Sequence, residues 1–204
     1  MVSSIKISVF WRIDQISRAP GIDWKNQTCY VEKMKIQKQY RYTIFNTNWG
    51  WFGLLSSEKG LARTCLPTED KNEVERTLLA GIDEPILDKK AFSSIENEIM
   101  TYYAGRQPVF SDIEVDIEDL TLFERTVLTA LRDISYGKTV TYGRLAQIAG
   151  SPKAARAIGA CMAKNPLPLI IPCHRVLGSN GDVTGFSAPG GIQTKLRMLK
   201  LEKA

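Results

Sequence analysis

The stretch PLPLIIPCHRVLG, residues 166–178, decides how this chain is read. An apolar run ends in Cys173, and beside it stands the only histidine of 204 residues, His174, followed by Arg175. A thiol attacks as its thiolate, and a free cysteine, with a pKa of about 8.5, is only a few per cent ionised at neutral pH. A neighbouring imidazole can accept that proton, so the pair nominates Cys173 as a nucleophile with His174 as its base. Both residues also have a plainer reading, since isolated cysteines are mostly small core hydrophobes and a lone histidine is commonly a satisfied polar group. Adjacent residues on an extended strand point to opposite sides, so a direct contact between the two would need a bent backbone or a bridging water.

Working outward, TLFERTVLTALRDI (121–134) carries Phe123, Val127, Leu128, Leu131 and Ile134 at helical spacing and predicts a core helix. GKTVTYGRLAQIAG (137–150) offers Thr141 as N-cap, Leu145, Ile148 and Ala149 as a buried face, and Gly150 as a stop. SPKAARAIGACMAKN (151–165) follows at once, with Ser151 as the expected N-cap and Pro152 at the first helical position. Two short helices joined by a glycine turn make a helix-turn-helix. The second keeps a slim surface, Ala154, Ala155, Ala157, Gly159, Ala160 and Ala163, around a single Arg156. Such a helix suits either close approach to another surface or tight packing in a core.

Upstream, RYTIFNT (41–47), WGWFGLLSS (49–57) and LARTCLP (61–67) are β-branched and aromatic runs separated by turns, which predict hairpins of a small sheet. NEVERTLLAGI (72–82) and AFSSIENEIMTYYAG (91–105) predict two helices, the second with Phe92, Ile95, Ile99, Tyr102 and Tyr103 near one face. The acidic strip SDIEVDIEDL (111–120) reads as a linker and sets a domain boundary near residue 118; residues 1–38 have no clear period and receive no role. Net charge is +5, but lysine and arginine outnumber aspartate and glutamate 12 to 4 over residues 121–204 and are outnumbered 5 to 14 over 66–120. A basic C-terminal part suits a phosphate-binding surface, with binding that weakens steeply as salt rises, or merely a solvated face. No apolar run reaches the roughly 18 residues of a membrane span. Arg12 and Asp14 interrupt the apolar stretch a signal peptide needs, which predicts an intracellular protein. Four cysteines without CxxC pairing and one histidine do not support a four-ligand zinc site.

The run YGRLAQIAGSPKAARAIGACMAKNPLPLIIPCHRV (142–176) closely resembles the active-site region of the O6-alkylguanine-DNA alkyltransferases, also called methylated-DNA–protein-cysteine methyltransferases. Their signature is PCHRV preceded by an RA-G-A helix and an NP turn. The likeness is strong over 121–204, weaker over 40–120 through the WGWFGLL hairpin and the YYAG helix end, and does not reach 1–38. It implies an α/β protein with an N-terminal extension (1–38), a small sheet-plus-helix, RNase H-like domain (39–118) and a mainly helical DNA-binding and alkyl-acceptor domain (119–204). It further implies irreversible, single-turnover transfer of an alkyl group from O6 of guanine in duplex DNA to Cys173, without cofactor or metal, by a monomer in the cytoplasm, or in the nucleus of a eukaryote. Carried onto matching positions, the resemblance makes His174 the base, reached through a water, with Glu202 orienting it. Tyr142 would donate a hydrogen bond to the leaving base, and Asn165 would brace the turn before the active-site strand. Arg156 would fill the gap left in the base stack, on a helix whose small residues Ala154, Ala155 and Gly159 fit the minor groove, with Thr141 at its flank. Pro172, Phe186 and Ser187 would shape the substrate pocket. Arg175 is expected to serve structure through an ion pair.

One departure stands out. The family reads G-Y-x-G-G after the active-site strand, whereas this chain reads TGFSAPGG (184–191), so Phe186 replaces the tyrosine and Ala188-Pro189 lengthen the loop. Three other functions fit less well. A damage sensor that flips the base without repairing it would lack the cysteine; a regulator reading the major groove would need side chains that AARAIGACMA does not offer; a Cys-His hydrolase would need an oxyanion hole of which the sequence shows no sign.

Overall fold

A computed structural model describes residues 38–203. The expected N-terminal extension, Cys29 included, lies outside them apart from Lys38. Residues from Lys38 onward form one compact unit.

Three strands, β1 (Arg41–Thr47), β2 (Gly50–Ser57) and β3 (Gly60–Thr68), run antiparallel, and a short β4 (Ile86–Leu87) joins β1 in parallel, giving the order β3-β2-β1-β4. Alternation along the strands sorts side chains onto two faces. Ile44, Leu55 and Cys65 turn to helix α1 (Lys71–Leu79), meeting its Val74 and Leu78. Phe52, Leu54, Leu61 and Leu66 turn to the other side, where Ile99, Tyr102 and Tyr103 of helix α2 (Ser93–Tyr103) cover them. That second cluster continues without a break through helix α3 (Leu122–Arg132), whose start is fixed by a reciprocal capping box between Thr121 and Glu124, to Met198 of helix α6 (Gly191–Glu202). One face of the sheet and the helices from α2 onward therefore share one core, while α1 packs on the other face.

The acidic strip is more than a tether. It docks along the sheet edge, where the Leu61 amide donates to Glu114 O at 2.8 Å and the Asp116 amide to Leu61 O at 2.8 Å. Ser57 Oγ donates to the buried Asp116 carboxylate at 2.6 Å. Gly60, at φ +143°, permits this approach: a Cβ there would lie 2.6 Å from Glu114 O.

The expected helix-turn-helix is α4 (Tyr142–Ile148) followed by α5 (Ala155–Ala163). Thr141 caps α4 by accepting the Arg144 amide. Two expectations need correction. Ser151 does not cap α5, which begins only after Ala154; its amide donates to Ala146 O at 2.8 Å, and Gly150, at φ +71°, donates to Gln147 O at 3.0 Å. These two bonds are a Schellman closure of the preceding helix, so Ser151 finishes α4, residues 151–154 form a turn, and α5 starts uncapped after Ala154. Ile148 is exposed, and Ala146 takes its place in the core beside Leu145 and Ala149. A two-residue parallel pair, β5 (Val140–Thr141) with β6 (Val176–Leu177), ties the entry of α4 to the chain just after Arg175.

Candidate active site

The chain reaches Cys173 through a turn held from two sides. Asn165, after α5, donates from Nδ2 to Ile171 O at 2.8 Å and accepts the Leu167 amide at 3.0 Å on Oδ1. Thr64 of β3 donates its amide to Pro166 O at 2.9 Å and its hydroxyl to Pro168 O at 2.7 Å. Between these braces Leu169 is buried in the left-handed region at φ +80°. Beyond Pro172, Cys173–Arg175 form a single 3-10 turn, so the expected active-site strand is no strand at all, and the alternation of an extended chain does not govern where Cys173 and His174 point.

His174 is fully buried, and its Nε2 lies 2.7 Å from Glu202 Oε1, at the end of α6. Arg175 clamps the same carboxylate, Nε to Oε2 at 2.8 Å and Nη2 to Oε1 at 3.0 Å, and donates from Nη1 to Ile134 O. The Gly137 amide adds a further donor to Oε2 at 3.1 Å. Burial alone would raise the Glu202 pKa, but His174 and Arg175 hold it down to about 2. An ionised carboxylate accepts, so Nε2 is the nitrogen that carries the proton and Nδ1 keeps its lone pair; this tautomer is assigned from the network. Nδ1 is buried and has no hydrogen-bond partner among the described residues. Burial lowers the His174 pKa against the pull of Glu202, which leaves a neutral imidazole at neutral pH. Arg175 has the structural part expected of it.

Three thiols, Cys65, Cys161 and Cys173, are free and buried among the described residues. Burial raises the pKa of each, that of Cys65 to about 11. The surroundings separate them. Glu73 opposes the thiolate further at Cys65, and at Cys161 Glu124 opposes it while Lys164 favours it, whereas at Cys173 Asn165 and the Lys195 ammonium both favour it.

Cys173 opens onto a cavity of about 340 Å³ lined by Tyr142, Gly159, Met162, Ala163, Phe186 and Ser187, within the roughly 300–1,000 Å³ of small-molecule sites. A second hollow of about 410 Å³, on the β3 side, also reaches Cys173 past Asn165, Pro168 and Pro189. Cys173, Tyr142, Gly159, Phe186 and Ser187 are thus gathered around one space. Pro172 is buried behind the turn and does not line it. Ala155 and Arg156 are exposed on α5, with Ala154 half-buried at its start. Lys195, which sequence reasoning passed over, is buried at 1 % exposure and donates to Val176 O at 2.6 Å. The spacing 195, 198, 199, 202 puts it on the helix face that carries Glu202, so periodicity held the signal.

Comparison with known proteins decides the family. Residues 122–204 match the model of the 6-O-methylguanine DNA methyltransferase, DNA binding domain. A methylated-DNA–protein-cysteine methyltransferase of Methanosarcina acetivorans is 35% identical over 161 residues, 79% of this chain and 97% of the relative. The chain belongs to the methylated-DNA–protein-cysteine methyltransferase family. A relative of that name from Mycobacterium bovis is 43% identical over 117 residues, 57% of this chain and 68% of its own length. The crystal structure of Mycobacterium tuberculosis OGT in complex with DNA superposes with a TM-score of 0.67 at 33% identity, covering 80% of this chain and 92% of that one. The methyltransferase fold, an N-terminal sheet part with a C-terminal helical part, is that expected from the sequence. Among the described residues no helix is long and apolar enough to cross a membrane, and no cluster of three or more His, Cys, Asp or Glu side chains could hold a metal.

Proposed function

We propose that this protein repairs O6-alkylguanine in duplex DNA by moving the alkyl group irreversibly onto Cys173. The carrying observation is a free thiol opening onto a base-sized cavity, backed by a buried neutral histidine on an ionised carboxylate, in a chain of this family.

The helix-turn-helix docks with α5 in the minor groove. Its small residues Ala154, Ala155 and Gly159 suit a groove about 6 Å wide, and the exposed Arg156 takes the place of the base that swings out. Thr141 and the N-terminal turn of α4 face the flanking backbone. Gly159 and Ala163 wall the cavity from the same helix, so groove contact and pocket are built on one rigid element. Flipping costs a few kcal/mol and least for a mispaired base, which adds selectivity.

In the reaction the Sγ–C bond forms as the C–O6 bond breaks. The thiol proton passes through a bridging water to His174 Nδ1 and Glu202 stabilises the imidazolium; the guanine leaves with the electron pair of the broken bond and takes up one proton from water, and the imidazolium gives its proton back to solvent. Tyr142 donates a hydrogen bond to the departing base. Asn165 and Lys195 favour the thiolate, and Phe186 and Ser187 close the wall over the base. A thioether is a poor leaving group, so each molecule acts once. We assign residues 39–118 to support of the site and 119–204 to DNA and chemistry, in a monomer that works without a cofactor where DNA is kept, the cytoplasm or a eukaryotic nucleus.

The test is stoichiometry. Digestion of a duplex holding one O6-methylguanine, after reaction with limiting protein, should return one guanine per protein molecule and no more. Multiple turnovers, or binding without restored guanine, would contradict this reading.

A further inference from the structure

The loop that departs from the family pattern is held over the cavity at its first residue, from two sides. Thr184 Oγ1 donates to Tyr142 Oη at 3.2 Å, and the Thr184 carbonyl accepts from Lys195 Nζ at 3.3 Å. The same ammonium lies 6.0 Å from the centroid of the Tyr142 ring. Thr184 thus joins the phenol on the cavity wall to the buried cation beneath it.

A phenol has a single proton. If Tyr142 is to offer it to a base in the cavity, its oxygen has to accept a hydrogen bond from another group, or its O–H is free to turn away. Thr184 Oγ1 is the hydroxyl that the structure sets against Tyr142 Oη. A hydroxyl donating to a phenol oxygen polarises the O–H beyond it, and each bond in such a chain strengthens the next.

We infer that Thr184 is a positioning residue, holding Tyr142 as a directed hydrogen-bond donor to the departing guanine. This inference rests on the proposed alkyl transfer. Thr184 does not touch the substrate; it acts through Tyr142, and its effect belongs to the chemical step and not to DNA binding.

Thr184→Val removes only the hydroxyl and keeps the branched shape and the carbonyl bound by Lys195, while Thr184→Ser restores a hydroxyl. Single-turnover methyl transfer should be followed against DNA concentration for both variants, each with its melting temperature, and for Thr184→Val on a Tyr142→Phe background. The expected result for Thr184→Val is a limiting rate about three- to tenfold lower, as for loss of one hydrogen bond, with unchanged half-saturating DNA. Thr184→Ser should stay near the parent rate, and Thr184→Val should change nothing once Tyr142 lacks its hydroxyl. Parent-like transfer by Thr184→Val, a loss confined to DNA binding, or the same loss on the Tyr142→Phe background would overturn the inference. If the unaltered protein takes up no methyl group, the proposed function itself fails, and the inference with it.

Discussion

Cys173 is buried, and burial favours its thiol, so the proton has to leave in the course of the reaction. The acceptor is set by a division of labour inside one buried cluster. Arg175 neutralises Glu202, Glu202 fixes the His174 tautomer, and Nδ1 is left as the basic atom. Because burial lowers the His174 pKa, the imidazole stays neutral to below its ordinary value of about 6.5. The single-turnover rate should hold steady from neutral pH down past 6.5 and fall only under more acid conditions, with His174→Gln slower by about 10²–10⁴-fold. A stopped-quench pH profile whose acid limb lies above 6.5 would contradict this. Cys173 and His174 were legible because they are rare types side by side in PCHRV, whereas Glu202 was reached only through the family resemblance. Periodicity marks Lys195 as facing inward, but its role and that of Thr184 depend on which loop carbonyl and which phenol oxygen the fold brings within reach.

Helix α5 does two jobs with opposite sides of one short element. Ile158, Cys161 and Met162 bury themselves in the core, while Ala155, Arg156, Ala160 and Ala163 remain exposed. If Arg156 stands in for the flipped base, Arg156→Ala should leave reaction with free O6-methylguanine unchanged. Its repair of a duplex lesion should slow by about 10²-fold, the scale of a few kcal/mol of flipping cost; equal losses on both substrates would show that the arginine serves the fold. The three main strands were readable because alternation is local, and the helix-turn-helix because its turn and first cap are. The expected start of α5 at Ser151 fails because the glycine-closed end of α4 runs into a turn over 151–154, which delays the helix to Ala155. The docking of the acidic strip on β3 was invisible because its partner lies some 50 residues away in sequence and no local pattern records it. That docking depends on Gly60, so Gly60→Ala should lower stability by about 1–3 kcal/mol, from backbone strain and the clash with Glu114 O, as read by denaturant unfolding.

One face of the sheet shares a core with the helices from α2 onward, so the buried charges near Cys173 bear on the stability of the described fold as well as on catalysis. Glu202 is held at about 2 in the folded protein against about 4.3 in an unfolded chain. Its contribution is therefore complete above pH 4.3 and is lost as pH falls toward 2. His174, lowered by burial, acts in the same direction, since the unfolded chain takes up its proton first as pH drops below 6.5. Unfolding free energy should decline from pH 6.5 downward. Glu202→Gln, which leaves Arg175 buried without its counter-charge, should cost about 3–5 kcal/mol at neutral pH and flatten the decline below pH 4.3; an unchanged pH dependence would mean that the carboxylate is not ionised. The charge contrast between the basic C-terminal part and the acidic middle was plain in composition, yet composition could not show that both pack around one core.

The most direct test is the mass of the protein after it meets its substrate. Intact and peptide mass spectrometry following incubation with a duplex containing one O6-methylguanine should show a gain of one methyl group, confined to the peptide carrying Cys173. Undamaged duplex and the Cys173→Ala variant should show none. A protein that binds the lesion while its mass stays unchanged would contradict alkyl transfer and make this chain a reader of damage.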